Sequence, residues 1–441
     1  MINKSLYSLS WPIFIDIFLH FSMLLINTYM VSYLSTSYLA SMGVGNQIFD
    51  FFITLFSFIS VGCSIVIAQY LGAGKKEQSI QAIHTAISFN FLLGCISSAI
   101  ILCFGRNILN FMNTPNHLFN QSFFYLKKLA LCLILESISI ITSACLRVYG
   151  RSQSAMFVTL ISNLIIIFGN LIFLFGFFGI HNQGLIGISY STLIGRTISL
   201  FALLFLLFIR LKIKFVPHFL FGGSKKILSK MLQVGLPSAG ENLVWTIHYM
   251  IIYSFIGMMG EKFMAAQTLY FQISLFIMLF GLSISIGNEI IVGYLVGSKK
   301  FEEAYSTGMK SLKVGFIVTV LVVFLFWLFK IEILRSIVQD EDVTEILIPL
   351  FLLSVFLEPG RTLNIIMVNS LRATGDVNFP FLIAVFSMFG IAIPLSYLFG
   401  IVMKMGLFGI WTGFLIDEWI RGIINSIRWK SKKWEAKRLN L

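Results

Sequence analysis

Charge is what this 441-residue chain has least of: 12% of its residues are charged, while 57% are hydrophobic. A soluble domain carries about 25% charged residues, so a chain this apolar cannot clothe a water-facing surface, and lipid must be its solvent. Proline is also scarce, with eight residues in all, which leaves long helices largely uninterrupted. The five cysteines, Cys63, Cys95, Cys103, Cys132 and Cys145, lie in or at the ends of apolar stretches and form no CxxC pair. They read as small packing residues, not as disulfides or metal ligands. No HExxH, GxSxG or Walker spacing occurs, and no histidine cluster points to a metal. This argues against a membrane protease or acyltransferase and against ATP-driven work. The expectation is a protein that is not an enzyme, holds no cofactor or metal, and draws energy from an ion gradient.

What the chain does have is apolar length. A helix needs about 20 apolar residues to span a bilayer core. Twelve segments meet that need, at about 8–33, 47–71, 82–104, 123–146, 155–179, 184–209, 231–258, 268–297, 307–330, 345–371, 379–402 and 406–427. The first is too long for a signal peptide and lacks a small-residue cleavage site, so it is expected to be a retained helix.

The net charge of +13 would suit nucleic acid, but its placement argues otherwise. Most Lys and Arg residues fall on one side of the twelve spans: Lys4, Lys75, Lys76, Arg147, Arg151, the 210–230 stretch, Lys299, Lys300, Lys310, Lys313, Arg372 and the tail. Arg106, Lys127, Lys128, Lys262, Lys330, Arg335 and Lys404 fall on the other. This positive-inside bias places both termini in the cytoplasm of a multi-pass protein of the cell membrane. The basic tail from Arg428 to Arg438 reads mainly as part of that signal, with contact to anionic headgroups as the alternative.

One spacing, 225 residues, organises the chain. Pro12 recurs as Pro237, Gln47-Ile48 as Gln272-Ile273, Ile59-Ser60-Val61-Gly62 as Ile284-Ser285-Ile286-Gly287, and Gly72 as Gly297. Leu146-Arg147 and Gly150 recur as Leu371-Arg372 and Gly375. The chain is a duplicated half, and six spans per half is an even number. The repeats are therefore parallel, related by an axis along the membrane normal, the organisation of a two-lobed transporter. The expected division is an N-lobe at 1–209, a basic linker at 210–230 with Pro217 and Gly222-Gly223, a C-lobe at 231–427 and a tail at 428–441.

Charges in hydrocarbon are costly and usually face a partner or a cavity. Within spans lie Asp16, Glu136, Glu241, Glu289, Glu358, Asp417 and Glu418, with Arg196, Arg361 and Arg421. Asp16 and Glu241 hold one repeat position, four residues after Pro12 and Pro237. A kink there lets an acid turn toward a cavity. Helical spacing places Asp16, His20 and Asn27 on one face, and Glu241, Trp245 and His248 on another. A carboxylate with a nearby imidazole suits a proton relay, while a buried hydrogen-bonding anchor is the alternative. Glu358 with Arg361, and Asp417 with Arg421, have the spacing of internal ion pairs, and Arg196 could partner Glu136. Glu289 lies nearer the cytoplasmic end, in a vestibule or at the interface. Trp245, Tyr249, Tyr253 and Phe271 could stack on a flat or cationic molecule.

Leu9-Ser10-Trp11-Pro12, Gly235-Leu236-Pro237, the paired endings of spans 2 and 8 and Leu371-Arg372-Ala373-Thr374-Gly375-Asp376 resemble the multidrug and toxic compound extrusion (MATE) family, over nearly the whole chain. The resemblance implies an all-α fold of twelve helices in two six-helix lobes around a V-shaped cavity. It implies antiport of organic, often cationic compounds against H⁺ or Na⁺. Many members carry Asp-Thr in span 1, fifteen residues after the proline, where this chain has Asn27-Thr28. Coupling therefore falls to Glu241 and Glu358, with Asp16 a further candidate. The cavity candidates are Asn27, His20, Trp245, His248, Tyr249, Glu289 and Arg361. The expected partners are a small organic molecule and the bilayer, with no nucleic acid or nucleotide, and the chain is expected to be a monomer. Two alternatives remain: a flippase for lipid-linked sugars, and a scaffold without transport.

Overall fold

Apolar runs with few breakers become helices, and no strand occurs among the residues that the computed structural model describes, 5–32, 36–112, 114–176, 183–214, 216, 224–338 and 340–439. Pro217, Gly222 and Gly223 of the expected linker lie outside them. Six long helices make up the first half: α1 (Leu6–Ser32), α2 (Thr36–Gly72), α3 (Lys76–Phe111), α4 (Asn116–Val148), α5 (Ser152–Phe175) and α6 (Gly184–Leu204, extended by a π-helical stretch to Arg210). Six more follow: α7 (Lys225–Gly257), α8 (Glu261–Gly297), α9 (Phe301–Leu328), α10 (Glu341–Thr374), α11 (Asn378–Val402, with two π-helical stretches) and α12 (Gly406–Lys430). Ten of these are long and apolar enough to cross a membrane. The other two, α7 and α12, are diluted by Glu241, Asn242 and His248 and by Asp417, Glu418 and Arg421. The two least apolar helices thus each carry polar and ionisable side chains inside the span.

The described chain forms two compact units. One comprises residues 15–71 and 75–235, the other residues 5–14, 72–74 and 236–439. Helices α1 and α7 each change unit, at Ile15 and Leu236, close to Pro12 and Pro237. A proline leaves one helical hydrogen bond unmade and marks a place where an axis can bend.

Repeated residues make repeated contacts. In the first unit, a Cβ on Gly62 would stand 2.2 Å from the Met231 carbonyl oxygen, so only glycine admits this close approach of α7 to α2. Gly150 and Gly375 end α4 and α10 with φ of 74° and 102°. At the first, Gly150 N–H donates to Arg147 O and Arg151 N–H to Leu146 O; at the second, Gly375 donates to Arg372 and Asp376 to Leu371. Each is the paired closure that a left-handed residue allows at a helix C-terminus. Cys63 and Cys145, both buried, meet as thiols between α2 and α4. The same repeat positions in α8 and α10 hold Asn288 and Ser370, hydrogen-bonded at 2.7 Å. Cys132 is buried as well, Cys95 is partly buried and Cys103 exposed, and all five are free.

The tail does not hang loose. After α12 a 3₁₀ turn, Lys433–Lys437, brings Trp434 against Trp429, stacked at 4.6 Å between centroids and 12° between planes. Trp434 is fully buried, Arg428 pairs with Asp376 at 2.8 Å, and Lys432 pairs with Glu302.

Candidate functional site: buried charge clusters

The carboxylate one turn after each helix-internal proline is not left alone. Asp16 of α1 accepts from Arg147 Nη2 at 2.5 Å. Glu241 of α7 accepts from Arg372 Nη2 at 2.6 Å. The two ion pairs occupy the same repeat positions, and each ties the proline-bearing first helix of a half to the end of its fourth. The pairs move Arg147 and Arg372 from the set of loop charges to the interior. The signal that finds them is the Leu-Arg repeat itself: a basic residue in the last turn before a glycine cap can reach back into its own bundle.

The expected pairing of Glu136 with Arg196, between α4 and α6, is present. In the second unit, α10 carries Arg361 where α4 carries Glu136. Helix α12 runs three residues out of the 225 register: Ser162 bonds Gly195 across 33 positions, and Ser387 bonds Asp417 across 30. The position of Arg196 is therefore taken by Glu418, and Arg361 Nε lies 3.6 Å from Glu418 Oε1. The two units hold one ion pair with its polarity reversed.

More charges surround the reversed pair. Glu358 accepts from Arg361 Nη1 at 3.0 and 3.2 Å and from Ser274 at 2.7 Å. Asp417 accepts from Arg421 Nη2 at 2.6 Å and from Ser387 at 2.6 Å. Arg421 also reaches Glu418 at 3.0 Å, whose other oxygen accepts from Asn364 at 2.9 Å. All five charged groups are buried. Burying ions costs several kcal/mol each, and partners with good geometry must offset it.

The remaining candidates scatter. His20 is about half exposed, with Nε2 4.0 Å from Asp16. Asn27 accepts from Asn170 at 2.8 Å, an interhelical polar contact. Glu289 is buried and makes no hydrogen bond or ion pair among the described residues. His248 is 1% exposed, faces Phe414 at 4.8 Å between centroids, and finds no hydrogen-bond partner for either ring nitrogen. Trp245, Tyr249 and Phe271 form an aromatic shelf: Trp245 stacks on Tyr249 at 5.5 Å, and Tyr249 meets Phe271 at 4.7 Å. Gln267 links Tyr249 to the Trp411 indole through bonds of 2.8 Å. Arg361 lies over Trp411 at 5.9 Å.

Twelve long helices among the described residues, an internal duplication and buried ion pairs describe a polytopic membrane protein, and comparison with known proteins decides which. The MatE family model matches residues 12–172 and again residues 237–398. The chain belongs to the MatE family. An uncharacterized transporter of Bacillus subtilis, YisQ, is 36% identical over 98% of this chain and 95% of its own length. A probable multidrug resistance protein, NorM, of Thermotoga maritima is 25% identical over 99% of this chain and 94% of its own. Among solved structures, an outward-facing multidrug resistance MATE family transporter of the MOP superfamily superposes with a TM-score of 0.88 at 20% identity, covering 97% of this chain and 96% of that one. The bent conformation of a MATE protein gives 0.88 at 21% identity, covering 98% and 96%. This MatE chain has the twelve-helix fold of those structures and is a membrane transporter whose cargo is a small molecule. The two family-model matches begin at Pro12 and Pro237, the repeat visible in the sequence.

Proposed function

We propose that the protein is an antiporter that exports organic cations in exchange for H⁺ or Na⁺. The observation that supports it best is the buried cluster on α10 and α12, where three carboxylates stand with two guanidiniums among the described residues. A cluster one positive charge short is costly in a low-dielectric interior unless a cation completes it. Of the coupling candidates, Glu358 belongs to that cluster. Asp16 and Glu241 each have an arginine of their own, which favours a role in holding helices together. The aromatic shelf of Trp245, Tyr249 and Phe271 offers ring faces to a lipophilic cation, worth about 0.5–2 kcal/mol. The probable multidrug resistance proteins among its relatives favour the same class of cargo.

The flippase reading needs free positive charge for a pyrophosphate. Arg196, Arg361 and Arg421 are each bound by a carboxylate, which counts against it. On this reading the chain works as a monomer in the cell membrane with both termini in the cytoplasm. The test is ethidium export by cells expressing the protein. Glu358→Gln is expected to reduce uphill export at least tenfold while membrane content stays unchanged. Wild-type export by Glu358→Gln would remove this residue from coupling.

A further inference from the structure

The charge count in the second unit points to a residue that its carboxylates do not identify. Glu358, Asp417 and Glu418 all accept bonds as ionised groups do, from Arg361, Arg421, Ser274, Ser387 and Asn364. Three negative charges against two positive leave a surplus of one. In the first unit the matching place holds Glu136 facing Arg196, with the exposed Asp50 of α2 as a further acidic neighbour of that arginine, and Leu133 stands where α10 has Glu358. Beside the unbalanced cluster, on α7, sits His248. It is fully enclosed, neither ring nitrogen has a partner, and it rests on Phe414, one turn before Asp417 and Glu418. Glu418 and Arg421 are its electrostatic neighbours. At the repeat position of His248, the first unit has the apolar Met23.

We propose that His248 is the proton-carrying group of this transporter: protonated, it supplies the third positive charge of the cluster, and deprotonated, it leaves the cluster with a net negative charge for a cationic substrate to answer. The step moves one proton onto a ring nitrogen and off again, with no electron transfer. It rests on the antiport reading and selects H⁺ as its ion. Leaving two imidazole nitrogens unbonded in a protein interior is unfavourable in a purely structural residue, since an apolar side chain of similar size would fill the place at lower cost. The other ionisable groups around it are accounted for. On α7, Glu241 is held by Arg372, and Tyr249 by Gln267. On α8, Tyr270 is bonded to Ser354, and Glu289 has Arg372 as its charged neighbour. On α10 and α12 the groups are the five of the cluster itself, and α11 contains no Asp, Glu, Lys, Arg or His.

The experiment is ethidium transport in everted membrane vesicles, driven in turn by an imposed pH gradient and an imposed Na⁺ gradient, for wild type and His248→Met. Wild type is expected to respond to the pH gradient. His248→Met is expected to lose at least tenfold of that response, to retain downhill ethidium movement, and to show a flat pH profile for that movement where wild type shows a titration. Should His248→Met fail to accumulate, His248→Gln, polar but not titratable in this range, takes its place with the same expectation. A pH-driven variant with the wild-type profile would overturn the role of His248 and leave antiport standing. A wild type driven by Na⁺ alone would overturn it likewise. A wild type driven by neither gradient would bring down the antiport reading and this inference with it.

Discussion

Single side chains carry the cost of this architecture. Asp16 is 1% exposed and depends on Arg147 for its charge. Removing one partner of a buried pair typically costs about 3–5 kcal/mol, whereas replacing both with apolar residues can be neutral. Arg147→Met is therefore expected to lower the apparent melting temperature of the purified protein sharply, and Asp16→Leu with Arg147→Met to recover most of the loss. A single variant as stable as wild type would show that the pair contributes nothing. The reversed polarity of the two units gives a sharper comparison. Exchanging the charges of the first pair, Glu136→Arg with Arg196→Glu, which has the exposed Asp50 as a neighbour, should be tolerated better than exchanging those of the enclosed Arg361 and Glu418. In the second case the new acid would meet Glu358 and the new base would meet Arg421. Equal stability of the two exchanged proteins, measured by thermal unfolding in detergent, would contradict this. The partners within one helix, Glu358 with Arg361 and Asp417 with Arg421, were legible because helical spacing alone brings them together. Arg147 and Arg372 were not, because a residue at the end of a span looks the same in sequence whether it faces water or reaches inward.

At the scale of helices, the duplication made most of the fold readable: a 225-residue register fixes which helices correspond before any contact is known. It also hid something. The register slips by three residues in α12, after a connection between α11 and α12 shorter than the one between α5 and α6. Glu418 therefore replaces Arg196 in space, although neither lies at the other's repeat number. The tail was equally opaque. Its basic residues read as a topology signal, while the structure gives it a packed end built on Trp429 and Trp434. Trp→Ala changes in a core cost about 3–5 kcal/mol, so Trp434→Ala should destabilise the second unit and expose the end of α12 to protease. Tryptic digestion that cleaves the tail no faster than in wild type would show that Trp434 does not anchor it. Gly62→Val should be severe for a different reason, because the atom it would meet is backbone and cannot swing aside.

For the whole molecule, two halves of common design bury unequal numbers of charged groups. One holds the pairs Asp16 with Arg147 and Glu136 with Arg196, with the exposed Asp50 beside the second; the other encloses five charged groups in a cluster one cation short, next to an exposed-edged aromatic shelf. That inequality underlies the proposal of cation-coupled export, and it makes a claim that one assay can address. Cells expressing the protein are loaded with ethidium, and its loss is followed by fluorescence with and without an uncoupler, at low and high external Na⁺. The account predicts export against the ethidium gradient that collapses when the ion gradient is removed. Ethidium retention equal to that of cells lacking the protein, under every ion condition, would contradict it.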